Sequence, residues 1–273
     1  MYTMKKSIFI LAVCAACAWS SFAEPKPPAL IADHPWKGRT VAFLGDSMTD
    51  PWHIGTTRNY WQDLGDWLHL EYTSFGQNGR QWTVVTNQAV SAVQKYGEKL
   101  DAIFILMGTN DFIDSVPLGE WYVEKDVETI GFHGEPVTRK HREFNLDSAT
   151  FRGRINAHMR FLKSMYPDLT IILITPVHRA YASWGGGNVQ QDEMYQNGCG
   201  QYHEAYVQAV REAGPIWSVP VIDLYSLSGN LPTLPEHHKF IANPPNDCLH
   251  PNAAGHNRIA RAIYAQLITL PIL

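Results

Sequence analysis

Ser47, Asp247 and His250 are the residues whose types could together do covalent chemistry. Ser47 lies in Gly45-Asp46-Ser47-Met48-Thr49-Asp50, directly after the apolar run Val41-Ala42-Phe43-Leu44. A short buried strand ending at Gly-Asp-Ser puts a hydroxyl at the carboxyl edge of a sheet, where open α/β folds place their ligands. Serine is a weak nucleophile without a base nearby. Asp247 and His250 stand three residues apart just ahead of the last helical pattern. Within one helical turn that spacing sets a carboxylate beside an imidazole, and the pair can take a proton from Ser47 and return it to a leaving group. Acyl transfer also needs donors aimed at the oxygen that becomes negative. The backbone N–H of Ser47, the backbone N–H of Gly76 and the side-chain amide of Asn110 are the expected three, since each follows the end of a strand.

The elements that must position these groups alternate. Strands are expected at 39–44, 71–75, 100–107, 169–174 and 219–224. Helices are expected at 58–70, 82–96 (stopped by Gly97), from Asp147 or Ser148 to Pro167, at 201–213 (stopped by Gly214-Pro215), and from Asn252 onward. Five strand–helix alternations argue a parallel sheet with helices on both faces. The polar stretches 112–145 and 175–200 have little periodicity and are expected as long loops, a length usually tied to function.

The motifs together resemble the SGNH hydrolases of the GDSL type, across the mature chain from Val41 to the last helix. Gly45-Asp46-Ser47 matches the first block, and Gly108-Thr109-Asn110-Asp111 the third. Asp247-Cys248-Leu249-His250 matches the fifth. Ser74-Phe75-Gly76-Gln77-Asn78-Gly79 is the loosest match, with Ser74 where the family has asparagine. The resemblance implies a flavodoxin-like three-layer α/β/α sandwich with a five-stranded parallel sheet, and a serine esterase that uses no metal and no cofactor. Asp46, Asp50 and Asp111 are read as hydrogen-bonding struts that shape their turns.

Competing chemistries lack their signatures. No Gly-x-Ser-x-Gly elbow is present, and the twelve histidines include no His-Glu-x-x-His. His237-His238 are expected to face solvent. Gly185-Gly186-Gly187 has no lysine to make a phosphate loop.

Residues 1–23 read as an export signal: Lys5 and Lys6 precede the apolar run Ile8–Trp19, and Ser21-Phe22-Ala23 offers a cleavage site. That places the protein in the periplasm or outside the cell, with acylation at Cys17 as the less favoured, lipid-anchored alternative. Residues 24–38 form a proline-rich extended lead-in, and 39–273 the hydrolase domain. The chain has 22 basic and 26 acidic residues, two of the basic ones in the leader, and no basic run to hold nucleic acid. Of the four cysteines, Cys199 and Cys248 survive cleavage. In an oxidising compartment they can form a disulfide, the alternative being two unpaired thiols.

Aromatic residues beside the motifs (Trp52, Trp82, Trp121, Tyr181 and Trp184) either stack on sugar rings or fill the core. Trp52 and Trp184 are the expected substrate contacts. Polar loops, export and a mildly acidic chain favour removal of small acyl groups, acetyl above all, from carbohydrate. Lipase, lysophospholipase or thioesterase activity on the same triad is the alternative, followed by an O-acyltransferase or a non-catalytic carbohydrate-binding relative.

Overall fold

A computed structural model of the protein describes residues 27–270 and residue 272. The expected export signal and Cys17 lie outside the described residues. The elements run β1 (Thr40–Gly45), α1 (Tyr60–Leu68), β2 (Glu71–Ser74), α2 (Val85–Tyr96), β3 (Ala102–Leu106), α3 (Thr109–Ile113), β4 (Tyr122–Ile130), β5 (Pro136–Phe144) and α4 (Phe151–Met165). They continue as β6 (Thr170–Ile174), β7 (Ala182–Ser183), β8 (Val189–Gln190), α5 (His203–Trp217), β9 (Val221–Ile222), α6 (Leu224–Leu227), β10 (Ile241–Asn243), β11 (Asp247–Pro251) and α7 (Ala253–Leu267).

The central sheet is all-parallel in the order β2-β1-β3-β6-β9. This is the flavodoxin-like order, with its switch point between β1 and β3, so ligands are expected at the carboxyl ends of those two strands. β1, β3 and β6 are buried along their whole length, as continuous apolar runs require when helices cover both faces. Ala42, Leu44, Ile103 and Ile105 meet α2, α4 and α5 on one face. Val41, Phe43, Phe104 and Ile172 meet α1 and α7 on the other. The lead-in is tied down rather than loose: Trp36 is fully buried on the α1/α7 side, and its Nε1–H donates to Leu270 O at 3.2 Å.

Four expectations about the elements change. The stretch 112–145 holds a two-stranded antiparallel ribbon, β4 with β5, in register from Tyr122↔Phe144 to Ile130↔Pro136. Neither face of it meets the core, so the one-sided apolar alternation that marks a strand never develops. It is moored at its base, where Phe144 stacks on Trp217 at 4.2 Å and Trp121 Nε1 donates to Glu212. The stretch 175–200 contains β7 and β8, which join β10 and β11 in a second sheet of order β10-β11-β7-β8. Helix α5 does not stop at Gly214-Pro215 but runs to Trp217, with Ser218 left-handed at φ 52°. Pro215 sits in the last turn, where one lost backbone bond is tolerable, and Trp217 anchors the extension by donating to Asn156 Oδ1 at 3.0 Å. The fifth strand shortens to Val221–Ile222, because Pro220 has no N–H to extend the ladder and Asp223 already begins α6.

The proposed pairing of Cys199 with Cys248 is not made. Both thiols are free. Cys199 is exposed, with Sγ 3.1 Å from Asn197 Oδ1, in the turn before α5. Cys248 is buried in β11, its Sγ 3.9 Å from His238 Nε2. The two histidines 237 and 238 are partly buried rather than solvated: His237 Nδ1 accepts from Leu231 N, and His238 Nε2 lies 3.2 Å from Pro232 O.

Candidate active site

β1 ends at the carboxyl edge of the sheet, and the chain turns sharply through Gly45-Asp46-Ser47. A side chain on Gly45 would lie 2.5 Å from Thr49 Oγ1 and 2.7 Å from Leu106 O, so only glycine fits between the turn and β3. Gln88 on α2 brackets the same residue: Gly45 N donates to Gln88 Oε1 at 3.0 Å, and Gln88 Nε2 donates to Gly45 O at 2.9 Å. The turn is closed by Asp46, whose Oδ1 accepts from Met48 N at 3.0 Å. These contacts hold the Ser47 hydroxyl at the switch point.

His250 Nε2 lies 2.8 Å from Ser47 Oγ, and His250 Nδ1 lies 2.8 Å from Asp247 Oδ2. Asp247 and His250 belong to a strand, not to a helical turn. Three apart on a strand, they would ordinarily face opposite ways. They meet because Asp247 curls back on its own backbone, Oδ1 accepting the N–H groups of Leu249 at 3.1 Å and His250 at 3.0 Å. Burial works to raise the Asp247 pKa, but the His250 ring and those two N–H groups outweigh it and hold the carboxyl below its ordinary value. A buried carboxylate on Nδ1 selects the tautomer whose Nε2 is free to accept the serine proton.

Asn110 lies at the start of α3 after β3, and lines the same cleft as Ser47 and His250. Its Nδ2 donates to Arg80 O at 2.9 Å and sits 3.4 Å from Asp46 Oδ2. Gly76 does not reach the cleft. Its N–H is directed at Ser74 Oγ, 3.3 Å away, and a Cβ there would be 2.5 Å from the Thr49 carbonyl carbon. Gly76 is a glycine because it packs on the Thr49–Asp50 backbone. The residue of this block that does line the cleft is Gly79. Arg80 N donates to Gln77 O at 3.2 Å, and Gly79 has φ +71°, so it takes the third position of a turn that demands a positive φ. Among the described residues, neither the N–H of Gly79 nor that of Ser47 has a hydrogen-bond partner.

The acidic struts behave as expected. Asp50 joins the first two blocks, accepting from Trp52 N at 2.8 Å and from Asn78 N at 2.6 Å. Asp111 is buried against Arg154 Nη1 at 2.8 Å and accepts from Trp82 N at 3.2 Å. Burial pushes Asp46 up to about 7 and Asp111 up to about 6.

The two expected aromatic contacts separate. Trp184 lines the cleft, with its ring centroid 5.5 Å from that of His250. Trp52 is 85 % exposed and is not among the residues that line the cleft. Trp82 is core, and Trp121 sits at the base of the ribbon. Sequence reasoning missed Gln88 and Gln190, and singled out Gly76 where the glycine that lines the cleft is Gly79. Among the described residues, no cluster of three or more His, Cys, Asp or Glu side chains could hold a metal ion. No helix there is long and apolar enough to cross a membrane.

Residues 43–258 match the family model described as the GDSL-like Lipase/Acylhydrolase family. The chain belongs to that family. This GDSL-like hydrolase is a carboxylic ester hydrolase acting on small esters, on a five-stranded parallel α/β scaffold. No curated protein matches it. Among solved structures, a protein from Lactobacillus plantarum is similar at 24 % identity and TM-score 0.64, over 85 % of this chain and 97 % of its own. A "possible lipase" from Chitinophaga pinensis is similar at 22 % identity and TM-score 0.59, over 83 % and 96 %. An α/β hydrolase enzyme from the metagenome of Lake Arreo, Spain, is similar at 18 % identity and TM-score 0.52, over 86 % and 97 %. At these identities the likeness is one of fold.

Proposed function

We propose that this GDSL-like hydrolase removes small acyl groups, acetyl above all, from carbohydrate esters after export from the cytoplasm. The mechanism is two-step acyl transfer. Ser47 Oγ attacks the ester carbonyl while His250 Nε2 takes its proton, and Asp247 stabilises the imidazolium that forms. The tetrahedral oxyanion is received by the N–H of Ser47, the N–H of Gly79 and Asn110 Nδ2. His250 then gives its proton to the departing alcohol. Water, deprotonated by the same imidazole, releases the acid and restores Ser47.

The observation that carries the substrate reading is the cleft itself. It is an open space of about 800 Å³ around Ser47 and His250, with Trp184 on one side and the amides of Asn78, Asn110, Asn188 and Gln190 around it. Amides and an indole suit a ring of hydroxyls with an apolar face. A long acyl chain needs an apolar channel instead. The testing experiment is the hydrolysis rate against acyl length, from nitrophenyl acetate to decanoate, with Ser47→Ala as blank, followed by acetylated polysaccharide. A maximum at acetate and release of acetate from polysaccharide are expected. A maximum at eight carbons or more would make lipid the substrate. No activity above the blank would point to a transferase or a binding role.

A further inference from the structure

The part of the cleft lined by Gln190 rests on a buried cation that the mechanism does not use. Arg179 is completely buried, and among the described residues no carboxylate oxygen lies within 4.0 Å of its guanidinium. Burial draws it down to about 10, with Glu193 and Asp46 working against that, so it is still charged at neutral pH. Its partners are neutral. Nη1 donates to Thr109 Oγ1 at 3.2 Å, Nη2 donates to Gln190 Oε1 at 2.8 Å, and the guanidinium lies over the Phe112 ring at 5.6 Å. A desolvated charge is expensive to keep, and a packed apolar side chain would hold the fold at least as well.

What the charge does is orient an amide. Arginine has donors only, so Gln190 must turn its carbonyl oxygen inward and its NH2 outward. Gln190 lines the cleft. Its Nε2 has a single long contact, 3.4 Å to Asn188 Oδ1, which leaves donor capacity facing the substrate space. The surrounding loop is closed behind it. Glu193 accepts from Arg179 N at 3.1 Å and pairs with His178 Nδ1 at 2.6 Å. Ala182 faces Gln190 across β7–β8, and Ala182 also pairs with Asp247 on β11. The wall is therefore built on the strand that carries the acid–base pair.

We propose that Gln190 is a substrate-binding residue whose NH2 group, aimed by the buried Arg179, donates to an oxygen on the alcohol side of the ester. Arg179 is then a positioning residue that touches no substrate. The inference rests on the reading of the cleft as a site for an oxygen-rich alcohol.

Two acetyl esters separate the outcomes. Phenyl acetate has no further acceptor oxygen on its alcohol side, and xylose tetraacetate has many. In Gln190→Leu, the ratio of kcat/KM for xylose tetraacetate to that for phenyl acetate should fall about three- to tenfold, the worth of one neutral hydrogen bond. The fall should lie in KM. Arg179→Met should reproduce it and speed amide hydrogen exchange across 182–190, with Arg179→Lys restoring part of both. Should Arg179→Met fail to fold, Gln190→Glu decides: it keeps an acceptor for Arg179 but offers no donor, so the ratio should fall while exchange stays slow. An unchanged ratio in Gln190→Leu and Gln190→Glu, whether both esters suffer equally or neither does, overturns the proposal. A wild-type enzyme that ignores xylose tetraacetate but cleaves glyceryl triacetate strikes the carbohydrate reading alone. The ratio of triacetate to phenyl acetate then tests Gln190 directly.

Discussion

Asp247→Asn is the substitution whose effect follows most closely from the geometry. Asp247 Oδ1 is pinned by two backbone donors, Leu249 N at 3.1 Å and His250 N at 3.0 Å. An asparagine has one acceptor oxygen, and those two N–H groups claim it. Its NH2 is then left facing His250 Nδ1, 2.8 Å from the atom it replaces. A donor there forces Nδ1 to accept, which places the ring proton on Nε2, against Ser47 Oγ. The imidazole can no longer take the serine proton. By analogy with the same substitution in the serine-protease triad, kcat should fall on the order of 10⁴-fold, equivalent to about 5 kcal/mol of transition-state stabilisation. Asp247→Ala leaves the tautomer free to choose and should retain more activity than Asp247→Asn. The assay is kcat on nitrophenyl acetate for both variants, with melting temperature as the control for folding. Asn retaining more activity than Ala would refute the tautomer argument.

Further outcomes follow from the surrounding contacts. Asn110→Ala should lower kcat by roughly a hundred- to a thousandfold with KM little changed, as expected for removal of one oxyanion donor; unchanged turnover would remove that residue from the mechanism. Gln88→Leu strands the buried N–H of Gly45, whose carbonyl keeps the Gln77 N–H at 3.0 Å, and at about 1–3 kcal/mol it should lower stability in urea denaturation together with kcat; a variant as stable as wild type would mean the bracket is idle. The acids act on stability with opposite signs. Asp247, held low, contributes stability that is present above the unfolded carboxylate range and is lost as pH falls through its folded value. Asp46, raised to about 7, keeps a proton that the unfolded chain has already released, so stability falls as pH rises from about 4 toward 7. Asp46→Asn should flatten that decline in denaturation at about pH 5 and pH 8, and an unchanged slope would show Asp46 ionised throughout. Thiol counting on the denatured, unreduced protein should find Cys199 and Cys248 both free, and a melting temperature that drops on reduction would contradict this.

Motifs read well from sequence where chemistry and geometry coincide in one short segment. Ser47 follows an uninterrupted apolar strand, and Asn110 follows another. The parallel sheet followed from the spacing of such runs, because strands buried on both faces need little beyond an apolar sequence. Where position depends on packing partners, the reading went astray. Gly76 and Gly79 are three apart in the same block, and only the fold tells a glycine required by close backbone approach from one required by a positive φ. Asp247 and His250 do pair, but not as their spacing in a helical turn would make them: the contact comes from a carboxylate folded back on strand β11. The ribbon β4–β5 escaped notice because exposure on both faces erases the alternation on which strand prediction relies. Gln88, Arg179 and Gln190 belong to no motif, and their roles arise from contacts between segments far apart in the chain.

The central claim is that Ser47 forms the acyl-enzyme. Its most direct test is intact-mass and peptide mapping after reaction with a fluorophosphonate, on wild type and on Ser47→Ala. One adduct per chain, located on Ser47, with activity lost in proportion to labelling and no adduct on Ser47→Ala, is the expected result. Hydrolysis that survives full labelling, or that persists in Ser47→Ala, would contradict it.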